Sequence, residues 1–107
     1  MIEISVSAAT TTLAVVGDLD LSERDRFQDV SARLDDVRPG RLVVDLCRTE
    51  FVDSSGAAFL MSVGDDVVRD GGEAVLRGAS DEVLFVLEIC GALTLFQVDR
   101  GHRCSDA

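Results

Sequence analysis

Arg41-Leu42-Val43-Val44-Asp45-Leu46-Cys47-Arg48-Thr49-Glu50-Phe51-Val52-Asp53-Ser54-Ser55-Gly56 is the stretch from which the fold can be read. Leu42, Val43, Val44 and Leu46 form the near-continuous apolar run expected of a strand covered on both faces. A short loop then leads to Phe51 and Val52, a second apolar anchor. Asp53-Ser54-Ser55-Gly56 places capping side chains directly before the apolar start of a helix, Ala57-Ala58-Phe59-Leu60-Met61. A hydroxyl is thereby held at a helix N-terminus, where backbone N–H groups and the helix dipole favour negative charge. Such a serine can be a nucleophile, a plain cap, or a site where phosphate is added and removed. The rest of the chain decides among these.

Upstream, Ile2, Ile4 and Val6 alternate with polar residues and predict a strand. A turn over Ser7 to Thr11 and a second strand over Leu13 to Val16, ended by Gly17, make an antiparallel hairpin. Gly17-Asp18-Leu19-Asp20 leads into a helix, with Ser22 and Asp25 spaced as a capping box. Phe27, Val30, Leu34 and Val37 then recur at helical spacing, and Arg38-Pro39-Gly40 ends the helix. Downstream, Ala57, Leu60, Met61, Gly64, Val67 and Val68 form the stripe of a second helix, stopped at Gly71-Gly72. A short strand at Ala74 to Leu76 precedes a third helix, capped by Ser80 or Asp81. Val83, Val86, Leu87 and Cys90 face inward on it, and Gly91 suits its end. Leu95, Phe96 and Val98 predict a last strand. The expected fold is α/β, in the order β-β-α-β-α-β-α-β, with a mixed sheet and helices packed on it. One domain spans residues 1–99, and residues 100–107 form a polar, flexible tail.

Composition narrows the function. The 107 residues carry 20 acidic and 10 basic side chains, a net charge of −10. No basic stripe is present to displace counterions from a nucleic-acid backbone, which argues against DNA or RNA as a partner. Anionic membranes are poor partners for the same reason, and basic protein surfaces good ones. No apolar run approaches the roughly 18 residues of a membrane span, and the first residues do not read as a signal peptide. Cys47, Cys90 and Cys104 are odd in number and lack C-x-x-C spacing, so the expectation is a reducing cytoplasm with no disulfide and no zinc site, Cys47 and Cys90 being small core residues.

Gly17-Asp18-Leu19-Asp20, Val43-Val44-Asp45-Leu46 and Phe51-Val52-Asp53-Ser54-Ser55-Gly56 together resemble the STAS domain of bacterial anti-sigma factor antagonists. The resemblance runs from about Ile2 to about Asp99, in the same element order. It implies regulation by partner switching. An anti-sigma factor that is also a serine kinase binds the unmodified antagonist and releases its sigma factor. Phosphorylation at the first serine of D-S-S-G, Ser54 here, blocks the interaction, and a PP2C-type phosphatase restores it. The implied partner surface takes in Asp18, Asp20, Ser22, Asp53, Ser55, Gly56 and Phe59. Ser55 is read as the cap, and Phe59 as lying off the apolar stripe, where it can touch a docked partner. The chain departs from the family in having Ala57-Ala58 where Leu-Gly is frequent, and in lacking the long helix that ends many members.

An enzyme built on Ser54 needs a base. The one histidine, His102, lies in the tail, the G-x-S-x-G elbow is absent, and all 10 basic residues are arginine, which removes a Ser–Lys dyad. Asp18 and Asp20 are read as caps or docking residues rather than a metal pair. The expectation is therefore a cytoplasmic protein-binding switch, with no cofactor and no enzymatic activity. The alternative is a constitutive STAS scaffold or sensory module that binds its partner without phosphorylation.

Overall fold

In a computed structural model of the chain, which describes residues 1–104, β1 (Ile2–Ser7) turns at Ala8-Ala9 into β2 (Thr10–Leu19). A 3₁₀ turn (Leu21–Glu23), α1 (Arg24–Val37), β3 (Arg41–Val52), α2 (Ser54–Arg69), β4 (Glu73–Arg77) and α3 (Asp81–Ile89) follow. A second 3₁₀ turn (Ala92–Thr94) and β5 (Gln97–Asp99) complete the order. The strands form one sheet in the spatial order β1-β2-β3-β4-β5. The tight turn makes β1 and β2 antiparallel. A helix between each later pair, or α1 between β2 and β3, makes the other pairings parallel. The expected α/β fold and mixed sheet are present.

Strand alternation fixes the two faces. Leu13 and Val15 of β2, Leu42, Val44 and Leu46 of β3, and Ala74 and Leu76 of β4 meet Val30 and Leu34 of α1, Leu60, Val63 and Val67 of α2, and Val83 and Leu87 of α3 in one buried cluster. Val43 and Val75, one step out of phase, are buried but stand outside that cluster, on the opposite face. A half-buried ion pair lies one strand position further along. Asp45 Oδ2 accepts from Arg77 Nε at 3.2 Å and from Nη2 at 3.1 Å, pinning β3 to β4.

Several local expectations are corrected. β2 does not stop at Gly17 but runs to Leu19, and β3 does not break after Leu46 but continues to Val52. The cause is irregular pairing. Ala14 is opposite Asp45 and Val16 opposite Arg48, so β3 carries one extra residue there. A second shift falls between Gly17 and Asp18. Such bulges break the period-2 pattern by which a strand is recognised. Phe51 is not a core anchor: it is 52% exposed, whereas Val52 is 2%. The Ser22/Asp25 capping box does not form. Asp20 caps the 3₁₀ turn instead, and α1 begins at Arg24 without a side-chain cap. On α2, Val68 is exposed, and Val63 and Phe59 take the buried positions.

The cysteine expectation is also overturned. Cys47 and Cys104 are joined by a disulfide, with Cα atoms 5.5 Å apart and a sequence separation of 57. Cys90 is the free thiol, half-buried. Part of the segment read as a loose tail is thus tied to β3. Its last residues, 105–107, lie outside the described residues.

Candidate functional site

The site is built where β2 and β3 end side by side and α2 begins. In a parallel sheet the strands' carboxyl ends open toward the helix starts, and ligands are met there. The ladder pairs Asp18 with Phe51 and Leu19 with Val52, which brings the Gly17-Asp18-Leu19-Asp20 segment against Asp53-Ser54-Ser55-Gly56.

Asp53 organises the junction. Its backbone is extended (φ −100°, ψ −175°), as an N-cap requires, and Oδ1 accepts the N–H of Gly56 at 2.8 Å. Oδ2 accepts the N–H of Leu21 at 3.1 Å. Its own N–H donates to the carbonyl of Leu19 at 3.3 Å, and its carbonyl accepts from Ala57 at 2.9 Å. The cap is therefore Asp53, not Ser55. Neither serine is needed for capping, and among the described residues the first-turn amides of Ser54 and Ser55 have no acceptor.

Ser54 is exposed as the first residue of α2, while Ser55 is half-buried. Gly56 is fully inside. A Cβ there would overlap the carbonyl oxygen of Leu19 and come within 2.9 Å of its carbon, so the close approach of α2 to the end of β2 demands glycine. Asp18 is exposed and Asp20 half-buried. Asp20 Oδ1 accepts from the Ser22 amide at 3.0 Å and from its hydroxyl at 2.5 Å, so Ser22 is held by Asp20. The structure thus gathers Asp18, Asp20, Ser22, Asp53, Ser54, Ser55 and Gly56 at one edge.

Phe59 is the exception. It is 6% exposed, and its ring stacks on Phe27 of α1 with centroids 4.4 Å apart and planes 9° from parallel. It is a core residue that binds α1 to α2, and it presents no surface to a partner. The exposed apolar groups beside the site are others: Leu21, 59% exposed, and Phe51. Phe51 continues into a shallow apolar groove shared with Val52, Val83, Phe85 and Val86, rimmed by Glu50, Asp81 and Glu82. Leu21 and Phe51 look like ordinary core residues in sequence, and only the end of the sheet exposes them. No helix among the described residues is long and apolar enough to cross a membrane.

The family model described as Mlab, STAS domain, matches residues 2–97. The fold is also that of solved antagonists. The anti-sigma factor antagonist SpoIIAA in its unphosphorylated form superposes with a TM-score of 0.76 at 17% identity, covering 94% of this chain and 90% of that one. Bacillus SpoIIAA in the phosphorylated form gives 0.72 at 16%, covering 94% and 93%. An anti-sigma factor antagonist from Mycobacterium paratuberculosis gives 0.72 at 22%, covering 94% and 85%. At these identities the likeness is one of fold. No curated protein matches the chain in sequence.

Proposed function

The chain belongs to the STAS domain family, and on that premise we propose that it is an anti-sigma factor antagonist switched by phosphorylation of Ser54. The observation that carries this reading is the division of labour at the start of α2. Asp53 performs the capping, which leaves the exposed Ser54 hydroxyl free to be modified without cost to the helix. A cap serine would be a poor acceptor, because its hydroxyl is engaged with the backbone. That SpoIIAA is described in both phosphorylated and unphosphorylated forms supports the same reading.

The partner is an anti-sigma factor that is also a serine kinase. It meets a surface with acidic Asp18, Asp20 and Glu50 around apolar Leu21 and Phe51, and so offers arginine or lysine around an apolar patch. A phosphate at Ser54 adds about −1.5 to −2 charges at neutral pH. That group is welcomed by the free amides of the helix start but not by a closed interface. A PP2C-type phosphatase resets the switch. The protein is a binding module and not an enzyme, built on a STAS domain of residues 1–99 to which the bridge fastens Cys104. Acting on transcription places it in the cytoplasm.

The test is mass spectrometry after incubation with ATP and an anti-sigma factor serine kinase from the same organism. One phosphate on the Thr49–Arg69 tryptic peptide, lost in Ser54→Ala, is the expected result. Binding to that partner without any phosphate would instead identify a constitutive STAS module.

A further inference from the structure

Cys47, His102 and Cys104 converge on the opposite side of β3 from the helices, and we propose that in the reduced chain they form a binding site for a soft divalent cation of the zinc type. The two sulfurs and one ring nitrogen of His102 lie within 4.8 Å of one another. In a tetrahedral zinc site with Zn–S of about 2.3 Å, the sulfurs sit about 3.8 Å apart, so opening the disulfide by a modest separation gives the required spacing.

The fold supplies the space. Gly78, with φ +77°, follows β4 beside the sulfurs. A Cβ there would overlap the Cys47 sulfur and come within 2.9 Å of that of Cys104, so the position accepts only glycine while both sulfurs are in place. Asp45 Oδ1 accepts the N–H of Cys47 at 2.9 Å, which fixes the first ligand's backbone at the bulge. His102 is half-buried in a cleft with Ala14, Val16, Arg48 and Arg103. Two thiolates cancel the charge of a divalent cation, so the arginines face a site with no net positive charge. Three protein ligands leave the fourth position to water.

Metal and disulfide exclude each other, because both use the same sulfurs. A phosphine reductant opens the bridge: the disulfide gains two electrons and two protons and becomes two thiols, and the phosphine takes oxygen from water. The cation then binds as the two thiols release their protons. Either state fastens the C-terminal segment to β3, seven residues before Ser54, but the metal site does not depend on the role of Ser54.

The experiment is a titration of the full chain with Co²⁺, as a spectroscopic stand-in for Zn²⁺, after reduction and removal of the phosphine without oxygen. One Co²⁺ per chain with thiolate charge-transfer bands and tetrahedral d–d bands is expected. Zn²⁺ should displace it, and the oxidised chain should give no thiolate bands. Cys104 lies outside the core, so Cys104→Ser should match the reduced wild type in stability, both having lost the bridge, and the two are compared under the same reducing conditions. The substitution should weaken binding by more than the roughly 10–100-fold that loss of an outer-shell partner costs. Cys90→Ser should bind as the wild type does, and His102→Ala should bind more weakly with shifted d–d bands. Absence of uptake by the reduced chain, uptake unchanged in Cys104→Ser, or an unaltered spectrum in His102→Ala would overturn the assignment.

Discussion

The carboxylate of Asp53 holds Leu21 and Gly56 at once, accepting their backbone N–H groups at 3.1 and 2.8 Å. One side chain thus ties the segment after β2 to the first turn of α2. Asp53→Ala removes both bonds and should destabilise the domain by about 1–2 kcal/mol, the upper part of the range for a lost cap. Asp53→Asn keeps one acceptor oxygen and should fall between the two proteins. Urea unfolding of the three checks the order.

Gly56 makes the same junction from the opposite side. Its α-carbon is so near the Leu19 carbonyl that an added methyl must push backbone against backbone. Gly56→Ala should cost at least the roughly 1–3 kcal/mol of an overpacked core, outweighing the gain in helix propensity. Gly71→Ala tests a different cause. It meets nothing within 4 Å but has φ +86°, so its penalty comes from backbone strain alone. Thermal melts should show the larger loss for Gly56→Ala.

The stacked pair Phe27 and Phe59 belongs to stability rather than to recognition. Phe59→Ala should lower stability by about 3–5 kcal/mol. The double variant with Phe27→Ala should reveal a coupling of about 0.5–1.5 kcal/mol beyond buried area. Phe51→Ala, at an exposed ring, should leave the melting curve nearly unchanged and weaken partner binding. A reversed pattern would return Phe59 to the docking surface.

Much of this was legible in the residues, and the failures have physical causes. The run at Leu42 to Leu46 and the helical stripes announce the sheet and helices, because burial on a face imposes a period. The bulge opposite Val15 erases that period between Cys47 and Glu50, so the rest of β3 reads as loop. Asp53 and Ser55 are equally good caps on paper, and the loop amide of Leu21 favours the residue with two acceptor oxygens. Phe59 is buried because α1 brings Phe27 to it, and Cys104 reaches Cys47 across 57 residues. Neither relation has a local signature.

That long loop has its own consequence. In the chain-entropy account, closing 57 residues constrains the unfolded state by about 4 kcal/mol. Reduction, or Cys104→Ser, should therefore shift the urea midpoint downward by an amount corresponding to about 2–4 kcal/mol. Cys90→Ser should respond to reductant just as the wild type does.

Charge should shape the encounter with the partner. With a net charge of −10 and acidic groups around Leu21 and Phe51, association should slow as salt shortens the screening length from about 10 Å at 0.1 M to about 3 Å at 1 M. Dissociation, set by the apolar contacts, should change less. Stopped-flow measurements across that range separate the two rates.

The most direct test of the switch is a binding titration of the anti-sigma factor with unmodified and Ser54-phosphorylated chain, each accompanied by a melting curve. At the exposed helix start, the repulsion from Asp53 and the attraction of the free amides are each about 1 kcal/mol or less, and they oppose one another. The melting curves should therefore nearly coincide. A closed interface has no such compensation, and a loss of about 3 kcal/mol there weakens binding roughly a hundredfold. Ser54→Asp, with less charge and fewer acceptor oxygens, should reproduce only part of that loss. Equal affinity of the two forms, or a phosphorylated chain that no longer folds, would contradict a local switch at Ser54.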